Sequence, residues 1–267
     1  VDTISMKTVE KLLPGWQIGT TSYLVDWGET VKESYEYNLS LLAPHVSLVQ
    51  LLLLGKHYLD LWEDDAWLFF LKEFQERWDM SFVVHLPLDL HLWPVRERED
   101  MKLLAHLIRR LDVFSPIGYV LHLERSDGLR SEPYVPRRED KGAFRGLLKE
   151  LEDLGEYPIV LENTHYDLSF FSEEILLSPF GVCFDVGHWW LLGKEIEDFW
   201  KKLGSRVRLV HFHGIDGGKD HRSLGVLSEE KLKRTLPLIR NLPVILEVFS
   251  FKDFLSSIVV WNLYERR

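Results

Sequence analysis

At six places in this chain an ionisable side chain stands directly behind a short apolar run. His85 follows FVV, His122 follows YVL, Glu162 follows IVL, Asp185 follows VCF with His188 three residues on, His211 follows LV, and Glu247 follows VIL. A further histidine, His221, lies in the segment KDHRSLG. Imidazole nitrogen and carboxylate oxygen are the donors that suit Zn, Mn or Fe(II), and the single cysteine, Cys183, leaves no thiolate alternative and no internal disulfide. Any one of these residues alone reads most simply as a helix cap or as a histidine satisfied by a neighbour. Six of them brought to one point would each need a partner, whereas one shared cation serves them all.

The elements that would bring them together are legible as eight short apolar runs: Ile18 to Tyr23, Val49 to Leu54, Phe82 to Leu86, Tyr119 to Leu123, Ile159 to Glu162, Val182 to Asp185, Leu209 to His213 and Val244 to Val248. Most are apolar on both faces, as parallel strands buried on two sides require. Amphipathic segments of helical period lie between them, among them Arg98 to Val113, Asp140 to Leu154 and Ser228 to Arg240. Ser228 is placed to cap the last of these, without the Glu or Gln three residues on that a capping box needs. Strict strand–helix alternation over 267 residues predicts an α/β fold, a single (β/α)8 TIM barrel spanning residues 1–267, whose strand ends converge on one mouth. No Gly-rich dinucleotide or P-loop motif is present.

Net charge is −10, which repels a phosphate backbone and argues against a nucleic-acid partner. The longest apolar stretch, around Val46 to Leu54, is interrupted by Gln50 and is too short to cross a bilayer. The first eleven residues carry no apolar signal region, so a cytoplasmic protein is expected. Trp27, Trp62, Trp93, Tyr134, Tyr166, Trp189 and Trp190 follow strands, where they would either cover a flat substrate or wedge loops onto the barrel. Arg125, Arg130, Arg137 and Arg138 cluster in the longest polar loop, where they would either neutralise a phosphate or lie solvated. His91 and His165 follow mouth-facing runs, and His213 shares the direction of His211 by strand alternation.

This pattern resembles the xylose-isomerase-like barrels, which include sugar isomerases and epimerases and the apurinic-site nucleases of the endonuclease IV type. The epimerase branch implies one metal held by Glu162, Asp185, His211 and Glu247. The nuclease branch implies further ligands, matched here by His85, His122, His188 and His221. That branch has Asp-x-His after strand seven, whereas here Lys219 takes the Asp position, leaving Asp216 or Asp220 as substitutes. The blocks GTTSYL, VVHLPLDLHL, YVLHLE, DVGH, VHFHG and LEVFS look like the cobamide-remodelling phosphodiesterases of the same superfamily.

That last resemblance implies a hydrolase with two or more divalent ions cutting a phosphoester in a cobamide, a small-molecule substrate. Glu162, Glu247 and His188 would be catalytic, and His213, Asp220, Arg222, Trp189 and His91 would contact substrate. A sugar isomerase or epimerase with one Mn or Co ion, moving a proton between Glu162 and Glu247, is the alternative, and an apurinic-site endonuclease a lesser one. A metal-binding barrel without turnover is the non-enzymatic reading.

Overall fold

The computed structural model describes residues 7–92, 98–123 and 135–266. Eight strands run parallel and close into a barrel: β1 (Ile18–Thr21), β2 (Leu48–Leu52), β3 (Ser81–His85), β4 (Tyr119–His122), β5 (Ile159–Glu162), β6 (Gly181–Asp185), β7 (Val207–Phe212) and, last in the chain, Val244–Leu246, which pairs with β1 and β7 to close the ring. The expected strands are all present, most of them trimmed or shifted by one or two residues at an end. Glu247 stands just past its strand, yet its backbone N–H still donates to the Phe212 carbonyl at 3.3 Å.

The helices cover the outside of the barrel. Arg98–Leu111, Asp140–Glu152 and Glu229–Ile239 fall where periodicity places them, and Ser228 caps the last by accepting from the Lys231 N–H. A full capping box does occur elsewhere, between Thr30 and Glu33 at the start of Val31–Leu42.

Between β7 and the last strand the chain forms a hairpin that periodicity did not indicate, β8 (Gly214–Asp216) and β9 (Lys219–Arg222). Its turn residues Gly217 and Gly218 both have positive φ, 56° and 78°. Two consecutive left-handed residues match the twist of a tight antiparallel hairpin, and glycine adopts them without a Cβ clash. The strand closing the barrel is accordingly β10 (Val244–Leu246).

The barrel interior explains where the chemistry sits. Leu48, Val83, Val120, Val160, Cys183, Leu209 and Ile245 form one buried cluster inside the ring. Two residues further along each of those strands stand Gln50, His85, His122, Glu162, Asp185, His211 and Glu247. A strand repeats its facing every second residue, so an apolar floor and a polar layer above it follow from one spacing. A larger apolar core, with Trp62, Trp67, Phe144 and Trp261 among its members, packs helices onto the outside of the strands.

Candidate metal centre

The polar layer is almost closed to solvent. Glu162, Asp185 and His211 are fully buried and Glu247 nearly so. One ligand atom from each of these four lies within 4.8 Å of the others, the disposition of a site able to hold a metal ion. Two further groups adjoin it, His85 with Glu162 and His211, and His188 with His213 and His221.

Distances within the cluster show what the side chains lack. Glu162 Oε1 meets His211 Nδ1 at 2.8 Å, and Glu162 Oε2 lies 2.7 Å from His122 Nε2 and 3.3 Å from His85 Nε2. Glu162 Oε2 thus faces two ring nitrogens and counts no hydrogen-bond partner among the described residues. His188 Nδ1 is in the same position, 3.2 Å from Asp185 Oδ2 without a hydrogen bond. Buried carboxylates and imidazoles crowded this closely are costly alone and suit a shared cation. The residues therefore fit a divalent metal.

The histidine tautomers follow from their partners. His85 Nδ1 faces the Leu86 carbonyl at 2.9 Å and must donate to it, which turns Nε2 toward Glu162. His221 Nδ1 donates likewise to the Glu247 carbonyl at 2.9 Å, leaving its Nε2 bare. His213 Nδ1 accepts from the His221 backbone N–H at 3.0 Å, so its Nε2–H serves Asp185, 3.2 Å away. Hydrogen bonds of this kind, made by the outer nitrogen or behind the ligand, set which atom faces a metal.

Charge shifts track this crowding. Burial alone would raise Glu162 and Glu247, yet His211 and its neighbouring histidines hold both below the usual carboxylate range. Burial lowers His188, but Asp185 and Asp220 outweigh it and push it up to about 9. His211 is also raised, its burial outweighed by Cys183, Glu162 and Glu247. His221 moves down through burial. Below them burial pushes the Cys183 thiol up to about 12.

The local sequence explains how each group is held. Asp185 ends β6 and also caps the short helix Val186–Leu191, its Oδ1 accepting from the His188 N–H at 2.7 Å. The same aspartate thus caps a helix and belongs to the four-residue group able to hold an ion. In the hairpin, Asp220 faces the cluster, 3.5 Å from His188 Nε2, while Asp216 is exposed at the tip. His221 has φ 52°, a left-handed backbone that a non-glycine residue seldom adopts and that tends to mark a functional position.

Several expected substrate contacts are placed otherwise. Trp189 is sealed in the core with its indole N–H donating to the Glu195 carbonyl, so it presents no face to a ligand. His213 lies fully buried behind Asp185, where it orients that carboxylate. His91 is half-buried, its backbone N–H tied to Asp100, and Arg222 is exposed on the hairpin. Trp62 and Tyr166 are core residues as well, Trp190 packs near Phe212, and only Trp27 of the described aromatics in that set is largely exposed, stacked on Tyr37. Trp93, Tyr134, Arg125 and Arg130 lie outside the described residues, and Arg137 and Arg138 are exposed.

One residue of the polar layer escaped the sequence reading. Gln50 had stood only as an interruption of an apolar run, yet it is fully buried and touches both His211 and Glu247. Its signal was the spacing Leu48-x-Gln50, the same as Val83-x-His85 and Val160-x-Glu162.

No protein-family model matches the chain, and no curated protein does. Solved structures do. A D-tagatose 3-epimerase-like protein superposes with TM-score 0.67 at 19% identity, covering 94% of this chain and 97% of that one. The 3-keto-D-glucoside 4-epimerase from E. coli gives 0.67 at 14%, covering 93% and 99%. A xylose isomerase domain protein from Alicyclobacillus acidocaldarius gives 0.63 at 18%, covering 93% and 97%. At these identities the likeness is one of fold, a closed barrel of eight parallel strands.

This finding corrects the phosphodiesterase expectation. These three neighbours carry epimerase, epimerase-like or isomerase names, and they back the alternative rather than hydrolysis of a cobamide. Structural duties account for much of the blocks that carried the cobamide resemblance. In HLPLDLHL, Leu86, Leu90 and Leu92 are core residues and Asp89 accepts from the Lys56 N–H. In LEVFS, Val248 is buried and Ser250 caps the helix Phe251–Glu265.

Proposed function

We propose that this protein is a divalent-metal-dependent isomerase or epimerase acting on a small sugar, with one ion held by Glu162, Asp185, His211 and Glu247. The observation that carries the reading is the mutual approach of those four buried ligand atoms at the mouth of a barrel of epimerase-like fold. A bound ion such as Mn or Co would polarise the substrate carbonyl and so acidify the adjacent C–H.

The chain's own residues supply the rest. β5 and β10 are separated in the ring by β6 and β7, so Glu162 and Glu247 approach the cluster from different sides. One carboxylate takes the proton from the carbon next to the carbonyl, and the other returns a proton to the opposite face for epimerisation or to the neighbouring carbon for isomerisation. His188, with one ring nitrogen on Asp185 and the other on Asp220, would steady both carboxylates beside the ion. His85 and His122 flank Glu162 Oε2, with ring nitrogens 3.3 and 2.7 Å from it.

The test is solvent exchange. Protein loaded with Mn or Co is incubated in D2O with D-tagatose, D-psicose or D-fructose, and deuterium is sought on the carbons beside the carbonyl by NMR. Incorporation together with a new sugar supports the reading. Two or more tightly held ions per chain by elemental analysis, with no exchange into any ketose, would overturn it.

A further inference from the structure

Gln50 has a double hydrogen bond that determines how the metal-facing histidine presents itself. Its side chain lies 2.7 Å from His211 Nε2 through Oε1 and 3.1 Å from Glu247 Oε1 through Nε2. An ionised carboxylate only accepts, so the amide NH2 must face Glu247 and the amide oxygen must face His211. An amide oxygen also only accepts, so His211 Nε2 must carry a proton. The remaining nitrogen, Nδ1, is the one that lies 2.8 Å from Glu162 Oε1 and 3.2 Å from Glu247 Oε2.

The geometry points to Gln50 as a positioning residue that selects Nδ1 of His211 as the metal ligand and, through its other arm, fixes the rotamer of Glu247. The inference rests on the metal-centre reading given above. With Gln50 fully buried at 0% exposure, water is not at hand to replace either bond. Losing the amide oxygen would strand the Nε2–H, and losing the amide NH2 would free one oxygen of Glu247. Outer partners of this kind are generally worth about 10- to 100-fold in metal affinity.

Three proteins test it: wild type, Gln50→Leu and Gln50→Glu. The isosteric glutamate keeps an acceptor for His211 but loses the donor to Glu247, so it separates the two arms and tolerates the packing if leucine does not. Zinc affinity is measured by competition with a chromogenic chelator, and imidazole 15N shifts are recorded on the zinc-loaded proteins. Wild type should show one histidine coordinated through Nδ1 with a slowly exchanging Nε2–H. In Gln50→Glu that signature should persist while affinity falls. In Gln50→Leu the protected proton should vanish and affinity fall by about 10- to 100-fold. Unchanged affinity in both variants, or coordination of His211 through Nε2 in wild type, would overturn the role of Gln50 while leaving the metal centre standing. A wild-type protein that binds no zinc would instead overturn the metal centre itself.

Discussion

Gly187 leaves the space that the His213 ring occupies: a Cβ at position 187 would fall 2.0 Å from His213 Cε1. The glycine of DVGH therefore serves the site indirectly, because His213 holds Asp185 at 3.2 Å. Gly187→Ala should push the ring aside and release the carboxylate. The expected outcome is a loss of metal affinity of about tenfold or more, with circular dichroism little changed. Chelator competition checks it, and full affinity in the variant would show that His213 does not position Asp185.

Glu162→Gln keeps the shape of the side chain and removes its charge. It should abolish deuterium exchange into ketose and lower metal content. Glu247→Gln should do the same, because the proposed reaction uses each carboxylate both as ligand and in proton transfer. Elemental analysis alongside NMR exchange separates the two losses; a Glu162→Gln protein with wild-type exchange would remove Glu162 from the chemistry.

Metal binding should release protons and strengthen with pH. In the metal-free protein His188 is raised from 6.5 to about 9 and His211 is raised as well. A folded-state value above the unfolded one stabilises the fold below about 6.5, and that contribution is lost as pH rises through about 9. A metal ion competes with those same protons, so it should add least stability at low pH and most at high pH. Thermal melts with and without zinc between pH 6 and 9, together with calorimetry in buffers of different ionisation heat, read both effects. A metal-induced rise in Tm independent of pH would refute the coupling.

Cys183 should be silent to thiol reagents in the folded protein. It is fully buried in the barrel floor, and burial pushes its thiol up to about 12. Iodoacetamide at neutral pH should label it only at the rate of unfolding, as mass spectrometry would record. Rapid labelling of native protein would mean that the floor opens.

The floor itself can be tested at Ile245, which is buried two residues below Glu247. Ile245→Ala removes packing that the rigid ring cannot refill and should cost about 2–5 kcal/mol of stability. Denaturant melts measure it, and a cost under about 1 kcal/mol would mean that the floor collapses to fill the gap.

The strand–helix alternation of the barrel and six of the seven polar positions above its floor were legible in the sequence, because period-2 strands put a residue and its second neighbour on one face. His85, His122, Glu162, Asp185, His211 and Glu247 each announce themselves by charge or imidazole behind an apolar run. Gln50 carries no charge, so its identical spacing passed as a flaw in a hydrophobic stretch. The roles of Trp189 and His213 depended on which way a short helix and a strand end turned their side chains, and only packing decides that. The hairpin of Gly214 to Arg222 has too few residues for a periodic signal, yet it alone brings Asp220 and His221 to the centre while leaving Asp216 outside. Spacing along the chain determined which residues share the mouth. Which nitrogen or oxygen each one turns inward was decided by partners such as Gln50 and His211, 161 residues apart in the chain, that meet only when the ring closes.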